Sequence, residues 1–182
     1  MKTLGRMCGF VVIAFWLTAG CSTTPKSVEK QEEFTTKAEQ AIQKAKQADP
    51  GLQKFFDTAA GYAVFPTVGK GAIGIGGAYG RGELFEGGKM VGYSTLTQAS
   101  IGLALGGQSY SEIIFFEDQA ALNRFKTGNF AFAAQASAVA LKSGASANAK
   151  YANGVAVFTM GEAGLMYEAS IGGQKFSYEP KM

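Results

Sequence analysis

Apolar residues recur at helical spacing along the segment 34–48, as Phe34, Ala38, Ala41, Ile42, Ala45 and Ala48, with Lys37, Glu39, Gln40, Gln43, Lys44 and Lys46 between them. That period predicts one amphipathic helix. Asp49-Pro50-Gly51 stops it, because proline disfavours the helical region for the residue before it. A second, shorter helix follows, with Leu52, Phe55, Phe56 and Ala59 on one stripe and Gly61 as its C-cap. After Gly61 the period changes to two. Tyr62-Ala63-Val64-Phe65 reads as a short strand closed by Pro66, and Ile73, Ile75, Tyr79 and Leu84 alternate through a glycine-rich stretch. Glu86-Gly87-Gly88-Lys89 is a hairpin signal, since two glycines accept the positive φ of tight turns. Residues 90–105, 113–116, 130–141, 155–160 and 165–171 read as further strands, with one short helix among them led by Asp118 and carrying Leu122 and Phe125. The alanine-rich run 131–140 is compatible with helix as well, and the flanking glycines with Phe130 and Phe132 favour strand. Helices first and hairpin-linked strands after predict an α+β fold, a single domain of N-terminal helices packed on a glycine-rich, largely antiparallel β-sheet.

Composition narrows the function classes. The chain has 182 residues, 47% of them apolar and 17% charged, which fits one folded domain and excludes a disordered chain. Lys and Arg number 17 against 14 Asp and Glu, too even a balance to indicate a nucleic-acid partner. Histidine is absent, which removes the commonest general base, the commonest zinc ligand and every Ser-His or Cys-His pair.

The N-terminus carries its own pattern. Lys2 and Arg6 precede an uncharged apolar run from Phe10 to Leu17 that ends in Thr18-Ala19-Gly20-Cys21, the layout of an export signal. The run is well short of the roughly 20 apolar residues that span a bilayer as a helix. Small residues before a cysteine resemble the bacterial lipobox, although Thr18 stands where lipoboxes usually carry leucine. The resemblance implies a lipoprotein signal peptide over residues 1–20, acylation of Cys21 with palmitate-type chains, and a tether over 21–33 leading into a domain over 34–182. Several acyl chains, at roughly 0.8 kcal/mol per buried CH₂, would make such an anchor effectively permanent. An ordinary secretory cleavage site is the alternative. Cleavage before Cys21 leaves 15 basic against 14 acidic groups and no free thiol for a disulfide, a metal or catalysis. Ser22 after the cysteine, by the sorting pattern of such lipoproteins, places the protein in the bacterial envelope on the outer membrane, facing the periplasm.

Candidate chemistry is sparse. Gly69, Gly71 and Gly74 satisfy G-x-G-x-x-G after a strand, but the following residues alternate instead of opening a helix, so no helix N-terminus is available for a pyrophosphate. Gly74, Gly76, Gly80 and Gly82 instead clear one strand face so that a helix or second strand can approach closely, the N-terminal helices being the obvious candidates. Glu83, Glu86, Glu112, Glu117, Asp118, Glu162 and Glu168 fall mostly at expected turns or strand ends, where a solvated charge is the ordinary reading. No enzymatic activity, cofactor or metal is expected. The basic groups Lys37, Lys44, Lys46, Lys54, Lys70, Arg81 and Lys89 cluster in the N-terminal half near Phe34, Phe55 and Phe56. An amphipathic helix so furnished can lie on an anionic membrane or simply pack on a core with a solvated outer face.

Gly61-Tyr-Ala-Val-Phe-Pro66, Lys70-Gly-Ala-Ile-Gly-Ile-Gly-Gly77, Gly92-Tyr93, the run 102–109 ending Leu-Gly-Gly-Gln-Ser, Gly164-Leu165 and Ser170-Ile-Gly-Gly173 together resemble the SYLF domain family, in order, over about residues 50–175. Eukaryotic members bind lipids, phosphoinositides in particular, and some yeast members regulate actin patches. The resemblance implies a non-catalytic lipid-binding module, with lipid contacts mapping here to Lys44, Lys46, Lys54, Phe55, Phe56 and Lys70. Anionic phospholipid is the expected ligand class, phosphoinositide being implied by the resemblance alone, and an envelope protein would not meet actin. The alternative is an envelope protein–protein interaction module using the glycine-rich sheet, with a protein partner or a second copy.

Overall fold

The computed structural model of the chain describes residues 27–128, 131–132, 139–140, 142–163 and 173–181. Ser27 opens the first helix, α1 (Val28–Ala48): its hydroxyl accepts from the Lys30 N–H, and Glu29 in the first turn complements the helix dipole. Helix-forming Lys, Gln and Glu residues carry α1 back to Val28, inside the span 21–33 assigned to the tether. Asp49-Pro50-Gly51 ends it as expected, and a 3-10 turn (Pro50–Leu52) leads into α2 (Gln53–Thr58). Gly61 is not the C-cap of α2. Ala59 takes that place in extended backbone, and Gly61 is the first residue of β1 (Gly61–Glu86).

β1 and β2 (Lys89–Phe116) form one very long antiparallel hairpin around Gly87 and Gly88, which hold φ of +56° and +75°. Pro66 does not close the first strand; it sits at a register shift between Phe65 and Val68, the kind of position where a residue without an N–H is tolerated. The expected strands 90–105 and 113–116 are likewise one strand, because residues 106–110 pair with residues 68–72 and Glu112 with Phe65. The hairpin then bends between Ile73 and Ile75, where Ile73 pairs with Leu105 but Ile75 with Ile101. β2 lies at the centre. Its first half also pairs with β6 (Gln174–Pro180), a strand the sequence pattern does not reveal, and its second half with β5 (Val155–Ala163). Between them come α3 (Gln119–Lys126) and the two-residue strands β3 (Ala131–Phe132), on β6, and β4 (Val139–Ala140), parallel to β5. The rest of the strand expected over 130–141, and that over 165–171, lie outside the described residues, as do the signal segment and Cys21. The architecture is α+β with an almost wholly antiparallel sheet.

Strict alternation divides the core. Val64, Phe85, Ile113, Phe115, Ala156 and Phe158 face α1 and α2, meeting Ala38, Ala41, Ile42, Ala45, Leu52 and Phe55. Their neighbours Ala63, Phe65, Leu84, Ile114, Phe116, Val155 and Val157 point the other way, into the hollow of the folded-over hairpin, where Leu122 and Phe125 of α3 close one side. The glycine face of β1 has a different neighbour from the one expected. A Cβ on Gly82 would lie 2.6 Å from the Phe65 ring and 2.7 Å from the Val64 carbonyl, and one on Gly80 2.8 Å from Val68. The strand's own first half, not a helix, fills that space.

Asp118 caps α3 through a bond from the Ala121 N–H to its carboxylate, 2.7 Å long. Asp118→Ala should cost about 1 kcal/mol, measurable as a lowered urea midpoint with an unchanged slope.

Candidate functional site

The end of the molecule where α1 finishes combines lysines with aromatic rings. Phe55 is buried and packs on Phe115 and Phe158, with ring centroids 5.4 and 5.1 Å away. Phe56 is half-buried, edge-on to Tyr62 and Phe115 at 4.9 and 4.8 Å. The sequence periodicity that put both rings on one stripe is therefore used mainly by the core. What they offer outward is a base for cations: Lys46 Nζ lies 4.4 Å from the Phe56 ring centre and Lys54 Nζ 5.1 Å from that of Phe55. Lys44 and Lys54 are exposed and Lys46 half-exposed. Lys70 is not part of this group, since it lies nine residues along β1 from Gly61, roughly 30 Å of extended chain.

A second basic segment, distant in sequence, arrives at the same place. Residues 142–150 fold through Gly144, at φ +77°, into a 3-10 turn (Ala145–Ala147). Asp49 grips that turn: its carboxylate accepts from the Ser146 N–H at 2.6 Å and from the Gly51 N–H at 3.0 Å. Burial works against the Asp49 charge, but hydrogen bonds from the Ser146 N–H and hydroxyl and from the Gly51 and Gly144 N–H groups outweigh it and hold the carboxyl below its usual range. Lys54 Nζ donates to the Ser146 carbonyl at 2.9 Å, and the Tyr151 ring lies 5.5 Å from that of Phe55. Lys142 and Lys150, both exposed, thus flank a turn pinned beside Lys54. Their charge is visible in the sequence, but nothing in local spacing ties them to Asp49, 97 residues away from its partner Ser146.

Residues 97–182 match the family described as Ysc84, Las17-binding protein actin regulator. The chain carries a SYLF domain. It is also 32% identical over 158 residues to Beta cell expansion factor A of Aeromonas veronii, an alignment covering 84% of this chain and 59% of that protein. The chain therefore spans about three fifths of the length of this curated relative. The family match takes in the turn with Lys142 and Lys150, whereas the helices with Lys44, Lys46 and Lys54 precede it.

The SYLF domain also buries two carboxyl groups that spacing suggested were solvated. Glu83 points from β1 towards α1, where the Thr35 hydroxyl donates to Oε1 at 2.7 Å while Oε2 has no partner. Burial pushes this carboxyl up, and the Thr35 bond only partly offsets it. Glu112 points into the hollow of the hairpin. The Gln174 amide donates to its Oε2 at 3.0 Å and lies 3.4 Å from the Gln98 carbonyl oxygen, while Oε1 is unpartnered. Complete burial raises the Glu112 pKa to about 7, against the opposing Gln174 bond. No group of three or more acidic side chains among the described residues could hold a metal ion. No described helix is long and apolar enough to cross a membrane.

Proposed function

We propose that this chain is an exported, lipid-anchored envelope protein whose SYLF domain docks on anionic phospholipid without chemistry, using Lys44, Lys46 and Lys54. The observation that carries this reading is the pair of lysines seated over half-buried and buried rings, Lys46 on Phe56 and Lys54 on Phe55. Rings fixed by the core hold the ammonium groups at one end of the fold, so less side-chain freedom is lost when they meet a headgroup layer. Anchoring through Cys21 on the outer membrane, with the domain in the periplasm, rests on the lipobox resemblance and Ser22. The family description names actin regulators, a role that an exported chain would have no occasion to perform.

The chain from Ser22 onward contains every described element and would lack the acyl anchor. It should sediment with vesicles of phosphatidylglycerol and phosphatidylethanolamine at low salt and be released at high salt. Changing Lys44, Lys46 and Lys54 to Gln should reduce sedimentation, by roughly 5-fold per lysine in contact with the surface. Binding to no vesicle, together with a mass that rises with concentration, would favour the sheet as an interface to a second copy.

A further inference from the structure

We infer that the pinned turn of residues 142–150 is a second, previously unassigned part of the lipid-docking face, in which Lys142 and Lys150 contact anionic phospholipid headgroups alongside the helical lysines. This rests on the docking reading above and adds to it a segment remote from the helices. Three observations converge. Asp49, at the end of α1, fixes the turn through Ser146, and Lys54 bonds the same residue, so the turn and the helical lysines form one body. A Cβ on Gly51 would lie 2.5 Å from the Ser146 hydroxyl oxygen, which shows how closely the two 3-10 turns pack. The residues between Lys142 and Lys150 are small and uncharged, Ser-Gly-Ala-Ser-Ala-Asn-Ala, so nothing in the turn neutralises them.

Charge complementarity selects the occupant. Three chain segments bring Lys44, Lys46, Lys54, Lys142 and Lys150 to one end, and no carboxylate pairs with any of them among the described residues. The exposed acids near them include Glu39, which shares a groove on α1 with Lys44, Asp57, bonded to Gln53, and Glu117, whose charge acts on Tyr151, so acids are fewer there than the five lysines. Asp49 is buried and committed to the turn. Like charges brought together without an ion-paired partner repel, and a surface dense in phosphates relieves that repulsion at several points at once, as a single anion does not.

The test uses the chain from Ser22 onward on vesicles of equal parts phosphatidylglycerol and phosphatidylethanolamine. Lys142→Gln with Lys150→Gln should weaken binding roughly 25-fold, about 5-fold for each lysine, and flatten its salt dependence. Lys89→Gln with Lys175→Gln removes the same charge from exposed positions on the hairpin turn and β6, and should leave binding unchanged. All four positions are exposed, so thermal unfolding should match wild type and separate loss of binding from loss of fold. Wild-type binding by the Lys142/Lys150 variant, with loss in the Lys44/Lys46/Lys54 variant, would overturn this inference and leave the docking reading intact. Equal losses in the control pair would overturn it in favour of net charge, and displacement from vesicles by inorganic phosphate at a concentration where sodium chloride of equal ionic strength leaves the chain bound would overturn it in favour of a single-anion pocket. Failure of the wild-type chain to bind would end both readings.

Discussion

Gly82→Ala should unfold well below the wild-type chain, with a loss of about 3 kcal/mol and a midpoint lowered by roughly 5–10 °C. The new Cβ would meet the Phe65 ring at 2.6 Å and the Val64 carbonyl at 2.7 Å. A ring can tilt, but the carbonyl belongs to the same β-ladder that Gly82 completes, so relief requires the two halves of β1 to separate. Phe65 also packs on Phe176, 5.6 Å away, and Phe176 on Phe125 at 5.5 Å, so the displacement is passed to β6 and α3. Gly69→Ala provides the contrast: nothing lies within 4 Å of a Cβ there, and its midpoint should stay within about 1–2 °C of wild type. Equal midpoints for the two variants in a thermal scan would show that the folded-back hairpin does not need a bare glycine face.

Glu112→Gln should make the chain more stable, and increasingly so as pH rises. Glu112 has its pKa raised from 4.5 to about 7 by complete burial. The folded state therefore binds this proton more tightly than the unfolded chain. Below the unfolded value the neutral acid costs nothing extra; from pH 4.5 upward folding must hold a proton that the unfolded chain releases, and stability falls until the pH passes about 7. The full difference corresponds to about 3 kcal/mol. Glutamine keeps the shape and an oxygen for Gln174 without the titration, so the variant and wild type should differ by a constant amount at low pH and diverge through the window. Urea unfolding at a series of pH values reads this directly, and a difference independent of pH would remove Glu112 as the titrating group. Glu83 is raised in the same direction beneath α1, so the wild-type decline includes its contribution while the difference between the two proteins does not.

Both predictions depend on features that local pattern could not show, while much of the rest was legible. The stop at Asp49-Pro50-Gly51, the turn at Gly87 and Gly88 and the cap at Asp118 follow from interactions spanning a few residues and form where the pattern puts them, as do α1 and α2 apart from the earlier start of α1 at Val28 and the end of α2 before Gly61. The change from a period near four to a period of two at Gly61 likewise marks the passage from helix to sheet. The SYLF motifs were legible as an ordered set. Local pattern misjudged Pro66 because a bulge, set by pairing with β2, lets the strand run through it. It gave no sign of β6, whose pairing partners Gly92–Gln98 lie some eighty residues earlier.

Sequence by itself determined the fold class, the order of helices before hairpin-linked strands and the supply of charged and aromatic groups, because hydrophobic period, capping and turn chemistry act over short distances. Only the tertiary structure decided what those groups face. Gly80 and Gly82 meet their own strand, Glu83 and Glu112 lie buried within paired strands, and Phe55 serves the core while Lys54 remains outside. Lys142 and Lys150 reach the helical lysines because Asp49 holds Ser146. Each of these outcomes depends on which distant segment fills the space opposite a side chain, and that is set when the long hairpin bends and its two halves close on each other.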